Sequence, residues 1–154
     1  MDKLQKILVI SRSAYECQKA LDCGINLAEK FDAELFVLHT FHNIFGIRGW
    51  NLPLPKKMLE DGYQKMQEDT KAEMNRMVEK ARKKGLKVHV LLREGKFMDE
   101  VLEVVNEEKI DLMVMASHSE WRLEHFLFGR DSEDILRNLP CSVVFVKDDP
   151  EPAF

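Results

Sequence analysis

Five short apolar runs separated by stretches of helical periodicity limit this chain to a narrow set of folds. The runs are Lys6–Ser11 (KILVIS), Glu34–Thr40 (ELFVLHT), Lys87–Leu92 (KVHVLL), Asp111–Ser117 (DLMVMAS) and Ser142–Lys147 (SVVFVK). Most are nearly continuous in Val, Ile, Leu or Phe, as strands buried on both faces must be. In Lys87–Leu92, Val88 and Val90 alternate with His89 and Leu91, which places that strand nearer an edge. Between the runs, apolar residues return at helical spacing. Cys17, Ala20, Leu21, Gly24, Ala28 and Phe31 form one stripe, and Leu59, Tyr63, Met66, Thr70, Met74, Met77 and Ala81 a longer one, closed by Lys83, Lys84 and Gly85. The methionines of this second stripe read as core filling rather than a cofactor box. Met98, Val101, Leu102 and Val105 mark a third helix, and Ile135, Leu136 and Leu139 a short fourth one stopped by Pro140. Strand–helix alternation throughout predicts right-handed crossovers: an α/β fold, a single doubly wound parallel sheet with helices on both faces.

The totals narrow the function classes. A chain of 154 residues with 45% hydrophobic and 32% charged residues suits one ordinary globular domain. It is expected over residues 1–148, with a frayed tail over 149–154. The net charge of −4 disfavours nucleic acid, which is bound through a positive field. Cys17, Cys23 and Cys141 have no paired spacing and fit buried thiols in a reducing compartment. The N-terminal apolar run is too short for a signal-peptide core, and no run reaches the ~18 residues needed to cross a membrane. The expectation is a cytoplasmic protein with no membrane partner.

In an open parallel sheet, ligands bind beyond the carboxyl ends of the strands, where the winding reverses. Ser11, Arg12 and Ser13 follow the first strand, Thr40 ends the second, and Met115, Ala116, Ser117, His118 and Ser119 end the fourth. The loop after the fourth strand closes at Gly129, and a helix is expected to follow.

These segments carry a family resemblance. Element order, length and the stretch from Leu112 to Val146 resemble the universal stress protein family. That family has a Gly-x2-Gly-x9-Gly-Ser/Thr loop after the fourth strand and a Pro-Cys-Pro-Val-like approach to the fifth. The chain keeps Met115, His118, Gly129, Glu133, Leu136, Arg137, Pro140, Cys141 and Val143, together with Leu38-His39 and Gly95. The resemblance implies an adenine-nucleotide alpha-hydrolase-like fold with strand order 3-2-1-4-5. It also implies a homodimer through the fifth strand, Ser142 to Lys147, whose apolar edge would otherwise lie open. The nucleotide signature itself is altered. Ala116 and Ser119 stand where the loop has its first two glycines, and Arg130 stands for the Ser/Thr. Arg12 aligns with the aspartate that holds the adenosine side in ATP-binding members.

Each change acts against a phosphate. A β-carbon at Ala116 or Ser119 removes the close approach and backbone freedom of glycine. A helix starting after Gly129 would offer free N–H groups to an anion, but Asp131, Glu133 and Asp134 crowd its first turn and Asp131 or Ser132 can cap it internally. Against this, Arg12 and Arg130 are suitable phosphate forks if they face the pocket, whereas pairing with Asp131 or Glu133 would close it. The expectation is weak or absent ATP binding and no bound cofactor, with an ATP- or AMP-responsive module using Arg12 and Arg130 as the alternative.

No other chemistry stands out. His39 and His42 have helix-like spacing, but no cysteine or carboxylate completes a zinc set. His118 could meet an anion or simply hydrogen-bond its loop. No nucleophile elbow or Gly-x4-Gly-Lys-Ser/Thr loop occurs, so the chain is expected to be a non-catalytic regulator rather than an enzyme. The segment from Phe41 to Lys56 (FHNIFGIRGWNLPLPK) is either a loop packed over the sheet edge or a flap for a protein partner.

Overall fold

The computed structural model describes residues 3–11, 18–41, 55–116 and 138–147. Five strands and three helices alternate: β1 (Lys6–Ser11), α1 (Gln18–Phe31), β2 (Glu34–Phe41), α2 (Lys56–Lys83), β3 (Val88–Glu94), α3 (Phe97–Glu108), β4 (Leu112–Ala116) and β5 (Ser142–Val146). The strands form one parallel sheet in the order β3-β2-β1-β4-β5. Each sequence-expected strand is present within two residues of its expected ends, and β3 runs on to Glu94 because it pairs as far as Phe41↔Glu94. The segment expected to form the fourth helix lies outside the described residues except at its end, Leu139 and Pro140.

Continuous apolar runs become central strands because both faces are covered. On one face Ile7, Val9, Leu35, Val37 and Val114 pack with Ala20, Leu21, Ile25 and Ala28 of α1 and with Met74, Val78 and Ala81 of α2. On the other, Leu8, Ile10, Phe36, Leu38 and Met113 pack with Phe97, Val101, Val104 and Val105 of α3. Each fully buried side chain of this size stabilises the fold by about 1.5–3 kcal/mol before entropy is counted. The alternating β3 lies at an edge and is nowhere fully buried.

The helix stripes hold with local corrections. Phe31 is 47% exposed and Ile25 and Val78 are buried, so Phe31 does not belong to the α1 stripe and the two aliphatics complete the packed faces. Phe31 ends α1, past the part of the helix that lies over the sheet. Gly24 is required by packing: a β-carbon there would collide with Cγ2 of Val9. α2 ends as expected, with Lys84 as cap and Gly85 at φ +85°, a backbone state suited to glycine. At the amino edge of the sheet, Asp111 Oδ2 accepts from the backbone N–H of Gln5 and Lys6, each at 2.9 Å, and locks the start of β4 to β1.

Candidate functional site

The strand order sets the site. From β1 the chain winds outward through β2 to β3 with α1 and α2 on one face. It then crosses with α3 on the other face to β4, on the far side of β1. The reversal between β1 and β4 opens a crevice at their carboxyl ends. Ser11 ends β1 and is 2% exposed; Met115 and Ala116 end β4 and are buried. Ser11↔His39 is the last register pair of β1 with β2, and Thr40 follows, half-buried and in register with Arg93 of β3. Of the remaining sequence candidates, Arg12, His118, Ser119, Gly129, Arg130, Asp131 and Ser132 lie outside the described residues, as do residues 42–54 of the apolar segment and its partner His42.

Ala116 carries its methyl into the core on the α1 and α2 side, beside Val114, Val144 and Val146. Met115 points to the opposite face, into the α3 core. An apolar cavity lies there among Phe97, Met98, Val101, Met113, Met115 and Leu139. Among the described residues it presents no polar group to orient a nucleotide.

Sequence reasoning weighed His39 only as a zinc ligand and as part of a family-like pair. In the structure its ring lies at the carboxyl end of β2, with Nδ1 3.0 Å from the carbonyl oxygen of Ser11. A carbonyl oxygen only accepts, so Nδ1 carries the hydrogen and donates it. Burial pushes the His39 pKa below the usual imidazole range; the Ser11 bond and the charge of Glu73 on α2 oppose that shift without reversing it. The ring is therefore neutral at pH 7. Phe41 lies 6.4 Å from it between centroids, and Tyr63 of α2 meets Phe41 edge-on at 5.8 Å. Burial, then the hydrogen bond and charge of Glu94, push the Tyr63 phenol up to about 12, with Gln67 opposing. The phenol therefore stays protonated at neutral pH, within reach of the Glu94 charge. Gly95 follows at φ +148° and donates its N–H to the Phe41 carbonyl at 3.1 Å. Glu73, Tyr63 and Glu94 carry no local motif; the packing of α2 brings the charge of Glu73 to His39, and Tyr63 to Phe41 and Glu94.

Among the described residues, no group of three His, Cys, Asp or Glu side chains could hold a metal ion. Cys23 and Cys141 are free thiols, both half-buried. Burial and then the nearby Asp111 push Cys141 up to about 11, against a backbone hydrogen bond at Met113. Among the same residues, no helix is long and apolar enough to cross a membrane.

Comparison with known proteins agrees with this architecture. The model of the universal stress protein family matches residues 3–147. The universal stress protein MJ0531 of Methanocaldococcus jannaschii is 26% identical over 148 residues, covering 93% of this chain and 82% of the relative. Among solved structures, the universal stress protein UspA from Lactobacillus plantarum superposes with a TM-score of 0.71 at 17% identity, covering 95% of this chain and 99% of that one. A universal stress protein in complex with cAMP superposes with a TM-score of 0.66 at 16% identity, covering 95% and 98%.

Proposed function

The chain belongs to the universal stress protein family, and we propose that it acts as a homodimeric regulator of the stress response that performs no catalysis and binds ATP weakly or not at all. The observation that carries this reading is the end of β4. Ala116 stands there with its β-carbon packed in the core, at the position of the first glycine of the nucleotide-binding loop it resembles. The β-carbon takes from that position the backbone freedom that a glycine there supplies. The sequence beyond supports the same reading, because Ser119 and Arg130 replace further loop positions and Asp131, Glu133 and Asp134 follow Gly129. A cytoplasmic location fits three cysteines without paired spacing.

The two sheet edges differ in a way that supports a dimer through Ser142 to Lys147. β3 carries His89, Arg93 and Glu94 and is preceded by Lys87, the charged pattern that discourages edge pairing. β5 reads SVVFV, with no charge inside the strand and with Phe145 46% exposed. The apolar residues Phe41, Ile44, Phe45, Ile47, Trp50 and Leu52 suit a protein partner for the segment from Phe41 to Lys56.

A second reading is kept by the similar fold solved with cAMP. Here the chain is an ATP- or AMP-binding regulatory module, with Arg12 and Arg130 supplying the phosphate contacts in place of the altered loop. Titration calorimetry with Mg-ATP, AMP and cAMP separates the two. The first reading predicts no saturable heat below millimolar ligand and no phosphate release above a denatured control. A micromolar Kd for an adenine nucleotide that is lost in Arg12→Ala and Arg130→Ala would replace it with the second.

A further inference from the structure

The two ends of α2 are held very differently. A crossover helix runs against the parallel strands it joins, so α2 starts at the carboxyl edge of the sheet and ends at the amino edge. Toward its C-terminus Met74, Val78 and Ala81 are buried against the sheet. Arg82 donates to Asn75 Oδ1 at 2.8 Å, and Lys84 pairs with Glu29 of α1 at 3.2 Å. Toward the N-terminus, Tyr63 meets Phe41, the last residue of β2, edge-on at 5.8 Å. Residues 56–62 therefore project past the end of β2. All of them are exposed except Leu59, which is half-buried, and Met58 is 59% exposed.

Local chemistry does little to hold these projecting turns. Pro55 stands at the N-cap and makes no side-chain cap bond, so the first N–H groups gain no side-chain acceptor from it. The first turn has no acid and carries Lys56 and Lys57, whose charge opposes the positive end of the helix dipole. Lys56 and Glu60 approach to 3.9 Å with side chains 91% and 66% exposed, in the less favourable Lys-to-Glu order. Gly62 stands in open space, since a β-carbon there would meet nothing within 4 Å. Packing does not require this glycine, and it lowers helix population about fivefold relative to alanine. Helices in proteins owe most of their stability to tertiary packing, and among the described residues these turns have almost none.

We infer that residues 56–62 melt and re-form independently of the rest of α2, as a coil-to-helix switch that sets the reach of the connection between β2 and the packed helix. Tyr63 on Phe41 is the clamp at which the stable helix begins. As helix these residues advance about 1.5 Å each; as open chain they reach about 3.3 Å each, so melting more than doubles the span they cover. They follow on from the apolar segment proposed for a protein partner, Phe41 to Lys56. A partner that covers Met58 and Leu59 selects the helical form, and the cost of forming it comes off that partner's affinity. This last consequence rests on the partner reading; the local equilibrium does not.

Amide hydrogen exchange by NMR on the full-length 15N-labelled protein tests the switch. Corrected for intrinsic rates, the amides of Glu60, Asp61 and Gly62 are expected within about tenfold of an unfolded chain, and those of Val78 and Ala81 at least about a thousandfold slower than an unfolded chain. Gly62→Ala should slow exchange at Glu60 and Asp61 by about threefold to fivefold, and adding Pro55→Asp, which supplies a cap, should slow it further. Both changes fall on exposed residues and leave the core untouched. Exchange at Glu60 and Asp61 within about tenfold of that at Val78 and Ala81 would show one cooperative helix and overturn the switch. So would a Gly62→Ala variant that exchanges at the wild-type rate. Neither result depends on whether a partner binds, so the partner reading stands or falls separately.

Discussion

The same side-chain chemistry takes opposite meanings at the two edges of the sheet. His39 at the carboxyl edge is half-buried and bonded to a strand-end carbonyl. His89 at the amino edge stacks on Phe36 at 4.5 Å and bonds Glu34 at 3.0 Å, a surface pair of modest weight. Nothing in their sequence neighbourhoods separates these roles, which arise from what packs across the strand. Sequence reasoning placed Ser11, Thr40, Met115 and Ala116 at strand ends because strand periodicity locates ends. It could not reach Glu73, Tyr63 or Glu94, which come from other elements. Cys141 offers a test at this scale. With the thiol pushed up to about 11 by burial and Asp111, little thiolate exists at pH 8. Alkylation of native Cys141 by iodoacetamide should be at least about a hundredfold slower than that of an unperturbed thiol, since the thiolate fraction falls tenfold per pKa unit. Peptide mapping by mass spectrometry reads this, and prompt labelling of the native protein would show the buried environment to be wrong.

Helical spacing in the sequence identified three of the described elements but misjudged how much of each is covered. A stripe extrapolates along a helix, whereas burial stops where the sheet stops. Thus Phe31 at the end of α1 is exposed, and in α2 only Met74, Val78 and Ala81, all toward its C-terminal end, are fully buried. Gly24 shows the converse. It falls on the expected stripe, but the reason it must be glycine appears only when α1 is laid on β1 against Val9. Gly24→Ala should destabilise the protein by about 1–2 kcal/mol, because overpacking costs about 1–3 kcal/mol while better helix propensity returns up to about 1. Urea denaturation reads the loss, and Gly24→Ala with Val9→Ala should cost less than the sum of the two single changes. An unchanged midpoint in Gly24→Ala would mean that α1 sits farther from β1.

At the scale of the molecule, fold class was legible and strand order was not. Alternating runs and stripes dictate a doubly wound parallel sheet through local chemistry. The order β3-β2-β1-β4-β5 depends on pairings between segments remote in sequence, such as Ile7 with Leu112. Periodicity carries no information about these, and the resemblance to known proteins supplied the order. Once the order is set, the crevice falls between β1 and β4 and the edges fall at β3 and β5. The uncharged edge strand β5 is therefore where the proposed dimer would form. Native mass spectrometry of the freshly purified protein, before and after millimolar ATP, tests the proposed regulator most directly. The account predicts a dimer mass with no retained adenine nucleotide, unchanged by ATP, and a monomer for Phe145→Lys with the same circular dichroism. A wild-type monomer at micromolar concentration, or a dimer carrying an adenine nucleotide, would contradict it.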